Sequence, residues 1–388
     1  MGKSKWVIFA SVFCIVIGLF LVGLDFWGNS HASRAIVYPT KVSEPIVPTR
    51  TRTLEAPTVI PSITSITFTP TPILPTRTPQ PIDSTLYQGR TRWGVGVALG
   101  PITRYNVAPL RLGWYLDWKT LLDPFQSANT DYAQVVRLKT GTLDPDADTL
   151  TKIARRNPGS LWLIGNEPDV KWQDNVEPTA YARLYHQAYQ AIRLGDPTAQ
   201  MAIGGVAQPS PLRLRYLEQV LESYRQQFHA EMPIDVWNIH NFILREERGS
   251  WGVDIPPGIT DNQGLLYEVD DSGNLEAFKK QIVDFRRWMA ERGYRHYPLI
   301  VSEYGIPMPE DYGFPQERVT DFLYNTFKFF LTAQDSFLGY PADDNRLVQR
   351  WCWYSLDDTN YATGRLFDLA TRQITATGTA WADYASQH

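Results

Sequence analysis

Two glutamates in this sequence each follow an apolar run of strand length. Residues 160–170 read SLWLIGNEPDV, so that Glu167 ends a partly β-branched run, and Pro168 then removes an N–H from any sheet ladder. Residues 298–305 read PLIVSEYG and place Glu303 at the equivalent point. Cleavage of a glycosidic bond needs two such groups, because one carboxyl protonates the leaving oxygen and the other attacks or assists at the anomeric carbon. Either glutamate alone would fit an exposed corner after a strand equally well.

The remaining sequence supplies elements that would bring the two glutamates to one end of a barrel. Strands are predicted near residues 93–99, 112–118, 134–139, 161–166, 201–205, 236–242, 299–302 and 348–354, and the clearest helices at residues 178–194, 212–228, 275–292 and 316–332. Their alternation favours a parallel α/β fold, and eight strands are the number in a (β/α)8 TIM barrel, whose active-site loops follow the carboxyl ends of the strands. A doubly wound sheet is the alternative. It would need a glycine-rich loop at a helix start, whereas the glycines of residues 94–100 lie inside the first predicted strand.

An uncharged apolar segment precedes this region. Residues 6–24 are long enough, at about 1.5 Å per residue, to cross most of a ~30 Å hydrocarbon layer as a transmembrane helix. Lys3 and Lys5 before the segment and Asp25 after it predict that residues 1–5 are cytoplasmic and that everything later is extracytoplasmic. A signal peptide cleaved after Ala32 is the competing interpretation. We expect a single-pass anchor in the cell membrane because the segment exceeds the usual apolar region of a signal peptide.

Residues 25–85 separate the predicted anchor from the barrel. Their stretch from Pro39 to Pro81 is dense in Pro, Thr and Ser and shows no helical or strand period, so it cannot build a core. We therefore expect a disordered linker at residues 25–85 and the barrel domain at residues 86–388.

Composition excludes some classes of function. The chain has 388 residues and a formal net charge of −4, which gives no basic field for nucleic acid. Cys14 lies in the apolar segment and Cys352 in a predicted strand, so no disulfide is expected in the outer domain. The sequence contains no CxxC or HExxH pattern, and we expect no metal or other cofactor. We expect the barrel domain to be monomeric.

The two glutamate motifs resemble those of a known group of enzymes. Asn166-Glu167-Pro168 and Ser302-Glu303-Tyr304-Gly305 resemble the acid/base and nucleophile motifs of clan A retaining glycoside hydrolases. Residues 112–115, LGWY, and residues 166–169 are also similar to the alkali-sensitive-linkage-type glycosyl hydrolase domain, whose relatives include β-1,3-glucanases. The resemblance covers residues 86–388. It implies that Glu167 is the acid/base, that Glu303 is the nucleophile and that Asn166 bonds the sugar 2-hydroxyl.

The resemblance also implies further residues around the nucleophile. His240, at the end of the sixth predicted strand, matches a polar residue that clan members place there, although a structural histidine is the alternative. Tyr304 is a further candidate for substrate binding. One departure is that clan A commonly has an arginine on the second strand, which this sequence lacks. Arg137 on the third strand is the nearest substitute, and an inward arginine would keep Glu303 ionised. A surface arginine is equally compatible with the sequence.

Thirteen tryptophans provide candidate platforms for sugar rings, whose flat C–H faces pack well against indole. Trp114, Trp118, Trp172, Trp251 and Trp353 are predicted at carboxyl ends of strands or in the loops beyond. Trp353 is the best candidate, because clan A enzymes often floor the subsite beside the cleaved bond at the end of the eighth strand. Trp114 is a second candidate. Core filling is the alternative for each of them, and we prefer it for Trp162, Trp237 and Trp351.

These observations favour a membrane-tethered, extracytoplasmic glycosidase that acts on a β-linked polysaccharide or oligosaccharide with retention. A retaining mechanism predicts carboxyl groups near ~5 Å apart. A non-catalytic carbohydrate-binding protein on the same barrel is the alternative, since fold alone does not separate the two functions. The presence of Glu167, Glu303 and Asn166 together favours the enzyme. β-1,3-Glucan, β-1,4-glucan, xylan and host wall polymers all remain compatible with the sequence.

Overall fold

The computed structural model describes residues 92–126 and 130–388. The predicted anchor at residues 6–24 and the linker at residues 25–85 lie outside the described residues. Within the described part of the chain, no helix is both long and apolar enough to cross a membrane.

Short parallel strands form the centre of the described chain. They are β1 (Trp93–Gly96), β2 (Trp114–Leu116), β3 (Asp131–Tyr132), β4 (Gln134–Val136), β5 (Leu161–Asn166), β6 (Gln200–Gly205), β7 (Trp237–His240), β8 (Leu299–Tyr304) and β9 (Arg350–Trp353). Only Ala133 separates β3 from β4, so these two short strands share one position and the sheet has eight positions. Each predicted strand falls on one of them.

The strands close into a barrel. The hydrogen-bonded order is β3-β2-β1-β9-β8-β7 in one part and β4-β5-β6 in the other, and all pairs are parallel. Parallel bridges between Ala202 and Val236 and between Val206 and Ile239 join β6 to β7, while Ala133 joins β3 to β4. The architecture is therefore the parallel α/β barrel expected from the sequence, with the carboxyl ends of all strands at one mouth.

Helices cover most of the outside. They are α1 (Ala147–Arg156), α2 (Pro178–Gly195), α3 (Pro211–Phe228), α4 (Leu275–Glu291), α5 (Gln316–Thr332) and α6 (Ala376–Gln387). The predicted helices at 178–194, 212–228, 275–292 and 316–332 are confirmed. After β1, short 3-10 turns at Ile102–Arg104 and Ala108–Leu110 stand where a regular barrel has its first helix.

Local sequence explains where these helices begin. Pro178 and Pro211 occupy the first positions of α2 and α3, where the missing N–H costs nothing and the fixed φ suits a helix. Ser210 caps α3 by accepting a hydrogen bond from the Arg213 N–H, and Asn274 caps α4 in the same way. The helices are thereby held at the starts that follow each strand's loop.

Alternation along the strands divides the apolar residues between two layers. Successive side chains of a strand point to opposite faces. On β2, Trp114 and Leu116 belong to the cluster inside the barrel, whereas Tyr115 belongs to the cluster between barrel and helices. On β9, Cys352 points inward and Trp353 outward. This alternation decides which residues at the mouth can reach a substrate.

A buried ion cluster joins three segments near the mouth. Arg213 of α3 contacts Asp169, in the loop after β5, at 2.6 Å and also contacts Glu246, in the segment after β7. All three side chains are fully buried. Ser210 donates to the same Glu246, and Arg213 also donates to the carbonyl of Val253 at 3.1 Å. Arg213 therefore neutralises two carboxylates that have no access to water.

We expect Arg213→Met to lower the free energy of unfolding by about 3 to 5 kcal/mol, because Asp169 and Glu246 would stay buried without their counter-charge. Arg215→Met, two positions along α3, is the matched control. Its ion pair with Asp261 is about half exposed, with side-chain exposures of 48% and 39%, and its loss should cost below about 1 kcal/mol. Denaturant unfolding of both variants measures the difference, and equal losses would contradict a structural role for the cluster.

Candidate active site

An irregularity in β8 turns Glu303 into the barrel. Val301 pairs with Trp351 and Tyr304 pairs with Trp353, so that Ser302 and Glu303 both lie opposite Cys352. An extra residue in one strand reverses the alternation beyond it and re-aims the following side chain. Ile300 and Glu303 therefore both face the interior, although three positions separate them. Glu303 is 7% exposed at the mouth.

Glu167 follows the last residue of β5 in a strained conformation. Its φ is +43°, in the left-handed region that a non-glycine residue occupies at a cost of order 1 kcal/mol or more. Its N–H donates to the Gly205 carbonyl at 3.0 Å, and its carbonyl accepts from Val170 at 3.0 Å. These bonds hold the turn, and Glu167 is 8% exposed. The side chain of Glu167 thus lies at the same mouth of the barrel as that of Glu303.

His240 lies between the two carboxyl groups. Its Nδ1 is 2.9 Å from Oε1 of Glu167, and its Nε2 is 3.2 Å from Oε1 of Glu303. Gly205 makes this possible, because a Cβ there would lie 2.5 Å from Cδ2 of the imidazole. Both contacts are hydrogen bonds only when both ring nitrogens carry protons. The structure therefore brings together the three residues predicted for this site.

The electrostatics of the group follow from its burial. Burial is the largest influence on Glu303 and raises its pKa to about 7, with the charge of Glu167 acting in the same direction and His240 and Trp118 opposing it. Burial by itself lowers the pKa of His240, but the carboxylates of Glu303 and Glu167 outweigh it, so that the pKa is raised. Protonation of the imidazole thus favours the ionised form of Glu303, whereas burial opposes that ionisation.

Glu167, His240 and Glu303 together can be interpreted as an acid–base site. One oxygen of each carboxyl and one nitrogen of His240 all lie within 4.8 Å of one another. Each nitrogen of His240 already faces one carboxylate oxygen, as an imidazolium would.

Asn166 and Asp174 fix the turn that carries Glu167. Asp174 Oδ2 accepts from the Asn166 N–H at 2.8 Å and from the Leu138 N–H at 3.0 Å, which ties the ends of neighbouring strands together. The side-chain amide of Asn166 makes no hydrogen bond to any described residue, and Asn166 is 5% exposed. Asp174 was not among the residues predicted for this site. A loop aspartate eight residues beyond Asn166 matches no known sequence motif.

Arg137 does not pair with Glu303. Its Nε donates to Asp174 at 2.8 Å and its Nη2 to Gln173 at 3.1 Å. Burial dominates the pKa of Glu303, and among the groups that lower it Arg137 comes after His240 and Trp118. The expectation that Arg137 is the direct partner of the nucleophile position is therefore corrected. It is also not a surface arginine, because its side chain is 12% exposed.

The structure places three predicted substrate-binding residues away from the mouth. Trp353 is fully buried, donates to the Gly364 carbonyl at 2.8 Å and packs against Tyr304. Tyr304 is also fully buried, because the irregularity that turns Glu303 inward turns its neighbour outward. Trp114 is the first residue of β2 and lies at the opposite end of the barrel, where its N–H donates to the Arg92 carbonyl. All three are core residues.

Tyr354, one position beyond Trp353, places its aromatic ring at the mouth. It is partly exposed, and its ring lies 5.7 Å from that of Trp118 and 6.3 Å from that of Phe242. Trp118 donates its indole N–H to Oε1 of Glu303 at 2.5 Å. The sequence identified Trp118 as a possible platform but gave no sign of this hydrogen bond. Counting the alternation on β9 from the inward Cys352 would have pointed to Tyr354.

Comparison with known proteins supports the interpretation of the two glutamate motifs. Residues 97–253 match the family model of the glycosyl hydrolase catalytic core, a range that contains Asn166, Glu167 and His240. Glu303 lies beyond the matched range. A comparison with curated protein sequences gave no match.

Solved structures of glucanases share the fold. The GH128 (subgroup II) endo-β-1,3-glucanase from Pseudomonas viridiflava aligns with a TM-score of 0.52 and 15% identity, over 76% of this chain and 98% of that chain. The subgroup II enzyme from Sorangium cellulosum aligns with a TM-score of 0.50 and 14% identity, over 75% and 97% of the two chains. The subgroup I enzyme from Amycolatopsis mediterranei, in complex with laminaritriose, aligns with a TM-score of 0.50 and 16% identity, over 76% and 99%. At such identities the likeness concerns the fold. The family match and the shared fold together confirm the resemblance to a glycosyl hydrolase catalytic domain.

Proposed function

We propose that this protein hydrolyses β-1,3-glucan by a retaining double displacement, with Glu167 as acid/base and Glu303 as nucleophile. The observation that carries the proposal is the pair of buried carboxyl groups at the ends of β5 and β8, with oxygens within 4.8 Å of each other. Carboxyl groups ~5 to 5.5 Å apart are typical of retaining glycosidases, whereas inverting enzymes separate them by ~6.5 to 9.5 Å.

The first displacement forms a bond between a carboxylate oxygen of Glu303 and the anomeric carbon. The glycosidic C–O bond breaks at the same time, and Glu167, once it has taken the proton that it shares with Nδ1 of His240, gives that proton to the leaving oxygen. In the second displacement, Glu167 takes a proton from water, the water oxygen attacks the anomeric carbon, and Glu303 leaves as a carboxylate. Two inversions give net retention.

Other residues at the mouth support binding of a sugar. The Asn166 amide makes no hydrogen bond to any described residue and lies directly beside Glu167, so it is free to bond the 2-hydroxyl as charge develops at the anomeric carbon. Tyr354 takes the place proposed for Trp353, because its partly exposed ring lies beside Trp118 at the carboxyl end of β9.

The choice of substrate rests on the comparisons. The similar structures from Pseudomonas viridiflava, Sorangium cellulosum and Amycolatopsis mediterranei are endo-β-1,3-glucanases, and one of them holds laminaritriose. The family match over residues 97–253 supports glycoside hydrolysis independently of those structures. β-1,3-Glucan is therefore the first substrate to test.

Substitution of the two glutamates tests their assigned roles. Glu303→Gln removes the attacking charge but keeps the side-chain shape, so release of reducing ends from soluble β-1,3-glucan by the full chain should fall about 10⁴-fold or more. Glu167→Ala should still attack aryl β-glucosides with activated leaving groups, and azide should restore turnover as a β-glycosyl azide. Glu276→Gln is the control, because Glu276 is exposed on α4 and pairs with Lys279 on the same helix. Full activity of Glu303→Gln would exclude it as the nucleophile. A native protein that binds β-1,3-glucan without cleaving it would be the carbohydrate-binding alternative.

The stereochemistry of the product tests the mechanism separately. We expect ¹H NMR during the first turnovers to show the β-anomer of the released sugar before mutarotation, because each displacement inverts the anomeric carbon once. An initial α-anomer would show a single displacement by water and would make Glu303 a general base.

We also propose that residues 6–24 anchor the protein in the cell membrane with the barrel outside, on the basis of the uncharged segment and its flanking lysines. The full chain should then stay with the membrane fraction after salt and alkaline washes. Protease added to intact cells should release a soluble, active fragment. Recovery from the medium of a mature protein that begins at Ser33 would show a cleaved signal peptide instead.

A further inference from the structure

The loop after β2 is bonded tightly to the neighbouring strand. The Lys119 carbonyl accepts from the Val135 N–H at 2.9 Å. The Gln134 side chain accepts from the Leu121 N–H at 2.7 Å and donates to the Leu121 carbonyl at 2.9 Å. These bonds extend the sheet beyond the end of β2. The backbone around Trp118 is therefore held in place.

The backbone conformation and the packing of Trp118 hold its side chain in one orientation. Its φ is +57°, and Tyr132 bonds to the residues on either side of it, Asp117 and Lys119. Gly96 of β1 leaves room for the ring, because a Cβ there would lie 2.8 Å from Cη2 of Trp118. The indole is 7% exposed. A left-handed residue packed against a glycine in this way has little freedom to move its N–H.

Trp118 donates to one oxygen of Glu303, and His240 lies within ion-pair distance of the same oxygen. The indole N–H is 2.5 Å from Oε1, and Nε2 of His240 is 3.2 Å from that atom. Oε2 of Glu303 accepts no hydrogen bond from any residue in the described part of the chain. A carboxylate whose one oxygen accepts from Trp118 and contacts His240 cannot rotate freely, and its second oxygen has a fixed direction.

We propose that Trp118 is a positioning residue that fixes Oε1 of Glu303 and so presents Oε2 to the anomeric carbon. The proposal rests on the proposed function, in which Glu303 attacks. Because indole is neutral, Trp118 orients the carboxylate without adding a positive charge. The ionisation of Glu303 depends on this hydrogen bond and also on the other groups that face it, which are Glu167, His240, Arg137, Cys352 and Tyr354.

Trp118→Phe tests the proposal, because it keeps an aromatic ring and removes the N–H. We expect kcat on soluble β-1,3-glucan to fall about 10- to 100-fold with little change in KM, and the loss to persist on the alkaline side of the pH profile. The hydrogen bond favours the carboxylate form of Glu303, so its removal should also move the acid limb of kcat/KM to higher pH.

Trp381→Phe is the matched control. Trp381 is fully buried in α6, and its N–H donates to the Leu110 carbonyl at 2.9 Å. Its substitution also removes a buried indole hydrogen bond, but one that does not involve Glu303. The acid limb of kcat/KM should therefore not shift in this variant. An unshifted acid limb in Trp118→Phe, or the same shift in both variants, would overturn the proposal.

NMR of the full-length native protein gives a readout that needs no turnover of substrate. The indole ¹H–¹⁵N resonance of Trp118, assigned through its absence from Trp118→Phe or by selective labelling, should titrate together with the acid limb. That titration should disappear in Glu303→Gln. A resonance that does not respond to pH would show that the indole does not donate to Glu303. If the native protein cleaves no β-glucan while this resonance titrates, the proposed function fails and the Trp118 contact stands.

Discussion

The contact of one buried imidazole with two carboxyl groups is the constraint on which the site depends. Glu167 and Glu303 come from strands on different sides of the barrel, and without a cation between them their charges would repel in a medium that screens poorly. His240 contacts both and supplies that cation when its imidazole is protonated. The glycine that ends β6 is what lets the imidazole approach, since any Cβ there would overlap its ring. Strand composition, as well as the choice of catalytic residues, thus determines the separation of the carboxyl groups.

The nucleophile position is stabilised differently from the pattern expected of clan A. The sequence lacks an arginine at the end of the second strand, and the structure places the indole N–H of Trp118 there. A permanent guanidinium would lower the pKa of a nearby carboxyl strongly, whereas a neutral donor lowers it less. Burial accordingly prevails and raises the pKa of Glu303 to about 7. The carboxylate form of Glu303 then depends on the proton held by His240, so the two residues act as one ionising unit.

Sequence periodicity predicted the barrel, the strand ends and the residues Glu167 and Glu303, because these depend on local apolar runs and on motifs at their ends. The resemblance to clan A enzymes added His240. Periodicity did not predict which of two neighbouring residues faces the mouth. The irregularity at Ser302 reverses the alternation of β8, and no local residue type signals it. On β9 the inward side begins at Cys352 and continues with Tyr354, which leaves Trp353 in the core. Trp118 was found among the aromatic residues, but its hydrogen bond joins residues 185 positions apart.

The buried ion cluster around Arg213 is best understood through the strain at Glu167. A left-handed φ at a non-glycine residue persists only where its surroundings hold it. On one side of Glu167 the Gly205 carbonyl fixes its N–H. On the other side, Asp169 is bound by Arg213 and by the Ala207 N–H at 3.2 Å. Buried ion pairs contribute little net stability compared with apolar residues of the same volume, so stability alone does not explain why this cluster is charged. A carboxylate two positions beyond Glu167, held by a fully buried guanidinium, instead gives the turn a fixed geometry, and with it the direction of the Glu167 carboxyl group.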